Sequence, residues 1–145
     1  MNRPITPELQ QLFRSAPFVA DLGMALDRLA DGECDTSLLI APRHLQQFGS
    51  VHAGVLATMA DHTAGAAAST LLLPGHRAMT LEFKINLLRP ACGERLVCTA
   101  RALKPGRQFV VLESEVWCEH GEQRPLIAKA MVTVAVLAPP PPSPK

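Results

Sequence analysis

Apolar positions recur along this chain in two rhythms, one helical and one alternating. Near the start, Leu9, Leu12 and Phe13 fall on one face of a short helix. Thr6 is placed to cap it, Pro7 suits its first turn and Pro17 stops it. From residue 24 the period shortens. Segments 24–30 and 33–40 flank Asp31-Gly32, a tight-turn pair, so the spacing predicts a β-hairpin. In its second strand Cys34, Thr36, Leu38 and Ile40 face one way, and Glu33, Asp35 and Ser37 the other. Residues 41–50 have Pro42, Gly49 and no periodicity, and read as a loop.

Residues 54–72 carry the one long helical pattern, without proline and with Gly65 as the only interior glycine. Apolar residues surround it (Val55, Leu56, Met59, Ala60, Ala64, Leu71), and a helix without a polar face is normally enclosed. Pro74-Gly75 ends it. Met79, Leu81, Phe83, Ile85 and Leu87 then alternate with Thr80, Glu82, Lys84 and Asn86, the pattern of a half-buried strand. Strands at 94–103, 108–119 and 126–137 follow, separated by the turn Lys104-Pro105-Gly106-Arg107 and a polar loop at 120–124. The expected fold is α+β: two strands, one long helix, then a four-strand meander. An antiparallel sheet has one apolar face to cover, and only one long helix is available, so the sheet curls around it. Residues 1–20 form an N-terminal helical segment, 21–138 the single domain, and 139–145 a proline-rich, disordered tail.

Composition narrows the classes. A length of 145 residues is one domain. The net charge of +1 argues against a dedicated nucleic-acid binder. Apolar residues at 48% and charged ones at 19% exclude a disordered chain. With 4% aromatics the core rests on Ala, Leu and Val, and the mean hydropathy of +0.14 suggests that a second subunit closes some apolar surface. No run has the length of a membrane span or the form of a signal peptide, so the expected location is cytoplasmic. Cys34, Cys92, Cys98 and Cys118 include no C-x-x-C pair and read as reduced core thiols.

The candidate chemistry sits on the long helix. Asp61 and His62 are the only titratable groups between His52 and His76. A carboxylate in such surroundings is costly unless paired, hydrogen-bonded or wet. A structural role at a subunit seam stands beside a catalytic one. Upstream, Gly49-Ser50-Val51-His52-Ala53-Gly54 runs into the helix N-terminus, whose first amides lack intrahelical partners and suit a developing oxyanion. Asp61 lies nine residues past His52, about 13 Å along a helix. One helix therefore cannot bring both to one carbonyl, and two copies of the chain are needed. No two histidines have i, i+4 spacing, so no metal site is expected. His62 projects away from Asp61 and reads as packing or a subunit contact. His44, His76 and His120 read as solvated loop residues.

The run from Val51 to Asp61 resembles the H-G-G-x(6)-D signature of hotdog-fold acyl-CoA thioesterases of the phenylacetate-pathway (PaaI-like) type. Thr80 to Pro90 resembles that family's next strand, and the Gly106-Arg107 turn also fits; the similarity extends over about residues 24–136. The resemblance implies a homodimer, or a dimer of dimers (a homotetramer), with composite sites that hydrolyse an acyl-CoA to free acid and coenzyme A. The acyl group is small or medium-sized, aromatic ones included. Asp61 matches the general base or nucleophile, and Ala53 and Gly54 the amides that polarise the carbonyl. His52 matches the histidine beside the leaving sulfur, Gln46 the asparagine that orients water or acyl group, and Thr80 an assisting hydroxyl. Arg89, Lys104 and Arg107 fall at strand ends where coenzyme A phosphates meet such enzymes. The thioester is substrate, and no cofactor is implied. Ala53 departs from the family's first glycine, and Gln46 is one methylene longer than asparagine. A hotdog hydratase or dehydratase and a non-catalytic acyl-CoA binder are the alternatives.

Overall fold

The structure, a computed structural model, describes residues 2–3 and 7–140. The expected Thr6 cap and most of the proline-rich tail lie outside them. A two-residue strand β1 (Asn2–Arg3) precedes the helices α1 (Pro7–Phe13) and α2 (Pro17–Leu22). The hairpin β2 (Ala25–Ala30) and β3 (Glu33–Leu39) turns at Gly32, whose φ of 74° is the left-handed value this turn needs. The long helix α3 (Ala53–Ser69) follows, then β4 (Arg77–Leu87), β5 (Arg95–Lys104), β6 (Phe109–Glu119) and β7 (Leu126–Leu137). All pair antiparallel in one sheet of order β1-β2-β3-β5-β6-β7-β4.

The core lies between the concave face of this sheet and one side of α3. Leu38, Leu96, Leu112, Val116, Val132 and Val134 point inward and are 0–1% exposed. Each such burial contributes roughly 1.5–3 kcal/mol before the entropy of ordering is set against it. Opposite them, Met59, Ala60, Ala64, Ala67 and Ala68 are fully buried. The small side chains bring the helix close enough for direct bonds: Ser114 Oγ donates to the Ala60 carbonyl at 2.8 Å, and the Thr36 and Thr63 hydroxyls meet at 2.8 Å. That satisfies the polar atoms the core encloses.

Several expectations change. Pro17 does more than stop α1. It opens α2, as proline suits a first helical turn, and Gly23 at φ 78° closes it. Leu12 is 68% exposed and does not share the buried face of Phe13. The last four strands are not a simple meander. β5, β6 and β7 form one, but β4 pairs with β7, and β5 lies beside β3. A helix crossing a concave sheet is entered from one flank and left on the other, so β3 and β4 fall on opposite sides of the strands beneath. α3 is also only half enclosed: Ala53, Gly54, Ala57, Thr58, Asp61 and Gly65 line a side that this chain's sheet does not cover. Finally, β4 is an edge strand with open apolar positions, among them Met79, Leu81 and Leu87, each more than half exposed.

Candidate active site

Asp61 sits midway along the uncovered side of α3, half-buried, and its Oδ1 accepts a hydrogen bond from Thr80 Oγ1 at 2.7 Å. That contact depends on an irregularity in β4. Thr80 pairs with Val134 and Glu82 with Thr133, so Leu81 is an extra residue, a β-bulge. Phe83 and Ile85 pair with the inward Val132 and Ala130, whereas before the bulge the inward positions are Ala78 and Thr80. Strict alternation puts Thr80 on the outer face with Glu82 and Met79 on the inner one. The bulge reverses this and aims Thr80 at the helix.

The start of α3 is built by two histidines. His52 is the N-cap, and its Nδ1 accepts from the Gly54 N–H at 2.9 Å. A Cβ on residue 54 would lie 3.0 Å from that nitrogen, so the glycine is what lets the ring fold back. The Val55 N–H donates to the His52 carbonyl. Of the first amides, Ala53's is left without an acceptor among the described residues. The Gly54 amide is held by the cap in this arrangement. Among the described residues only glycines have a positive φ, so the alanine at 53 is unstrained.

His44 contradicts the expectation of a solvated loop residue. It is 1% exposed, its Nδ1 accepts from the Ala41 N–H and its Nε2 donates to the Leu22 carbonyl, both at 2.9 Å. Its carbonyl accepts from the His52 N–H at 2.8 Å. One neutral ring thus ties α2, the loop and the helix start, and burial pushes it below the ordinary imidazole range. Nothing local in the sequence marks it as buried, because the Leu22 carbonyl it bonds lies twenty-two residues away. Gln46 spends its amide within its own loop: Nε2 donates to Ser50 Oγ at 2.8 Å and Oε1 accepts from the Phe48 N–H.

Asp61 stands between two recesses. A hollow of about 230 Å³ lies toward the helix start, against Phe18, Ala57, Thr58 and Phe83. A cleft of about 660 Å³ runs the other way, past Gly65 and Ala66 to His76 and Arg77, with Thr80 at its head. His62 borders both, its ring packed at a tilt 4.6 Å from that of Phe13 and bonded to the Phe13 carbonyl at 3.1 Å, as a packing role requires. Ala53 and Asp61 are eight residues apart on this unbroken helix, about 12 Å.

The three basic candidates are not brought together. Arg89 donates to the Leu126 carbonyl at 2.8 Å, at the end of the sheet where Val51 leads into α3. Lys104 and Arg107 are exposed at the opposite end, near the Phe109–Ala135 pair. The nine residues from Leu126 to Ala135 put roughly 30 Å between the two groups. Among the other candidates, His76 is partly exposed and His120 lies in the open, 3.2 Å from Glu94. Cys34, Cys98 and Cys118 are buried free thiols, while Cys92 is exposed rather than part of the core. No helix among the described residues is long and apolar enough to cross a membrane.

Residues 48–124 match the family model described as Thioesterase superfamily. The medium/long-chain acyl-CoA thioesterase YigI of Escherichia coli is 27% identical over 135 residues, spanning 83% of this chain and 85% of that protein. A solved thioesterase family protein from Silicibacter pomeroyi is 32% identical and superposes with a TM-score of 0.86, over 88% of this chain and 94% of that one. The E. coli PaaI protein, from the phenylacetic acid degradation operon, is 20% identical and shares the fold at a TM-score of 0.79, over 88% and 89% of the two chains.

Proposed function

Since this chain belongs to the thioesterase superfamily, with the hotdog fold and thioester hydrolysis as its chemistry, we propose that its substrate is an acyl-CoA and its site a composite of two copies. The observation that carries this reading is the Asp61–Thr80 pair, held at 2.7 Å at the head of an apolar cleft. The similarity to a relative named for medium and long acyl-CoAs supports the substrate class.

In the proposed reaction the Ala53 N–H of one subunit, at the positive end of α3, donates to the thioester carbonyl oxygen as negative charge builds on it. Asp61 of the other subunit takes a proton from water as it attacks, or attacks the carbonyl itself, with Thr80 fixing the carboxylate. The new C–O bond replaces the C–S bond, and the sulfur leaves as a thiolate that gains a proton. Where Asp61 itself attacks, the product of this step is a mixed anhydride, which water then cleaves to the free acid and the restored carboxylate. His52, capping through Nδ1, presents its Nε2 outward beside this amide. Gln46 shapes the loop that carries His52, and Arg89, at the same end of the molecule, meets the coenzyme A phosphates. Lys104 and Arg107 serve that role only if the partner's sheet brings them round. The second copy covers the edge of β4, where an eleven-residue strand paired on one side only, with open apolar side chains, otherwise faces water. No cofactor takes part, and a cytoplasmic enzyme fits this chemistry.

Asp61→Asn is the test. The variant should keep fold and oligomeric state while thiol release from a panel of acyl-CoAs falls by about a thousandfold or more, the scale of losing a catalytic group. Turnover at the unaltered rate would remove Asp61 from the reaction.

A further inference from the structure

The cleft beyond Asp61 has a construction that hydrolysis alone does not require. Its floor is the last two turns of α3, where Gly65 lies one turn past Asp61 on the same stripe and Ser69 one turn further. From Asp61 to Ser69 the floor is about 12 Å long. Its side is carbon: Leu12 and Phe13 of α1, and Leu26 and Leu29 of β2. His76 and Arg77 line it beyond these, and Ser15, Ser69 and Thr80 add hydroxyls.

Two features show that this space is built. The first is Gly65. Glycine inside a helix weakens it relative to alanine, and here a Cβ would meet nothing within 4 Å, at a φ that is not left-handed. Neither backbone conformation nor packing within the chain calls for glycine, so what it accommodates comes from outside the chain, an entering ligand or the second copy. The second is the wall. α1 is held by the His62–Phe13 bond at 3.1 Å, and by the Gln10 amide, which pairs with both backbone groups of Leu26. Leu12, more exposed than a core leucine, is the rim of that wall.

We propose that this cleft receives the acyl chain as an unbranched alkyl chain of medium length laid along α3, and that Gly65 determines how much chain is admitted. The inference rests on the acyl-CoA reading above. The thioester carbon sits at Asp61, the first methylenes pass over Gly65, and α1 with β2 closes the side. A planar aromatic acyl group uses only the head of so elongated a groove. Apolar lining rewards each added methylene until the chain reaches His76 and Arg77.

The experiment compares butanoyl-, octanoyl-, dodecanoyl- and phenylacetyl-CoA with the wild type, Gly65→Ala and Gly65→Leu. Thiol release gives kcat/KM. Calorimetry on the Asp61→Asn protein, with and without Gly65→Leu, reads binding apart from turnover. The wild type should prefer octanoyl over butanoyl and phenylacetyl. Gly65→Leu, which keeps a good helix former, should lower the octanoyl-to-butanoyl ratio of kcat/KM at least tenfold and abolish the same preference in binding. Gly65→Ala should fall between. If all four substrates are hydrolysed and the ratio does not move in Gly65→Leu, the groove is overturned and hydrolysis stands. If no substrate is hydrolysed but binding depends on chain length in this way, the groove stands and hydrolysis falls. An equal loss on every substrate together with a changed oligomeric state overturns the groove in favour of a subunit contact at Gly65.

Discussion

His52 and Gly54 work as a pair at the residue scale. The ring turns back to cap the helix only because position 54 has no Cβ, and the cap takes the Gly54 amide and leaves Ala53's free. Gly54→Ala puts a carbon 3.0 Å from Nδ1. The ring must swing away, at a cost of about 1 kcal/mol for a lost N-cap. The melting temperature should then fall by a few degrees and kcat about tenfold, read by calorimetry and steady-state thiol release. A variant as stable and active as the wild type would show that the cap does not matter. Asp61 and Thr80 were legible in the sequence through the resemblance of their two segments to the thioesterase pattern. The contact between them was not. Alternation places Thr80 on the outer face, and only the unpaired Leu81, set by the strand's fit to β7, turns it inward.

At the scale of elements, the hairpin, the long helix and the last three strands lie within a few residues of where the periodicity puts them, because turn chemistry and a half-buried pattern are local. The strand order escaped notice, since sequence says nothing of which flank β4 takes after α3. α2 was hidden by reading Pro17 only as a stop. The loop 41–50 looked formless because its organiser, His44, bonds to Leu22, twenty-two residues away. That ring gives the loop a pH dependence. The unfolded chain protonates His44 near the ordinary value of 6.5, whereas the buried ring resists protonation. As pH drops below 6.5 the unfolded state binds a proton that the folded state does not, and stability declines until the folded ring titrates too. Urea midpoints should therefore decrease over that window in the wild type, and His44→Gln should flatten this part of the profile. Parallel profiles for the two proteins would refute it.

For the whole molecule, the uncovered side of α3 and the open edge of β4 belong to one surface, and both follow from a chain whose apolar residues outnumber what its own sheet can hide. The composition hinted at this surplus; where it emerges was visible only in three dimensions. Lysines at Met79 and Leu81 should keep two chains from joining there. The double variant is expected to sediment as a folded monomer with turnover reduced at least a hundredfold. A monomer that remains fully active would mean that a single chain holds a complete site. The stretch of rigid helix between Ala53 and Asp61 has a consequence for how such an enzyme behaves at low abundance. On the composite site proposed above, a chain on its own owns an acid at one station and a bare amide at another, and activity per chain should fall on dilution below the point where subunits part. Specific activity would then report how much of the protein is present.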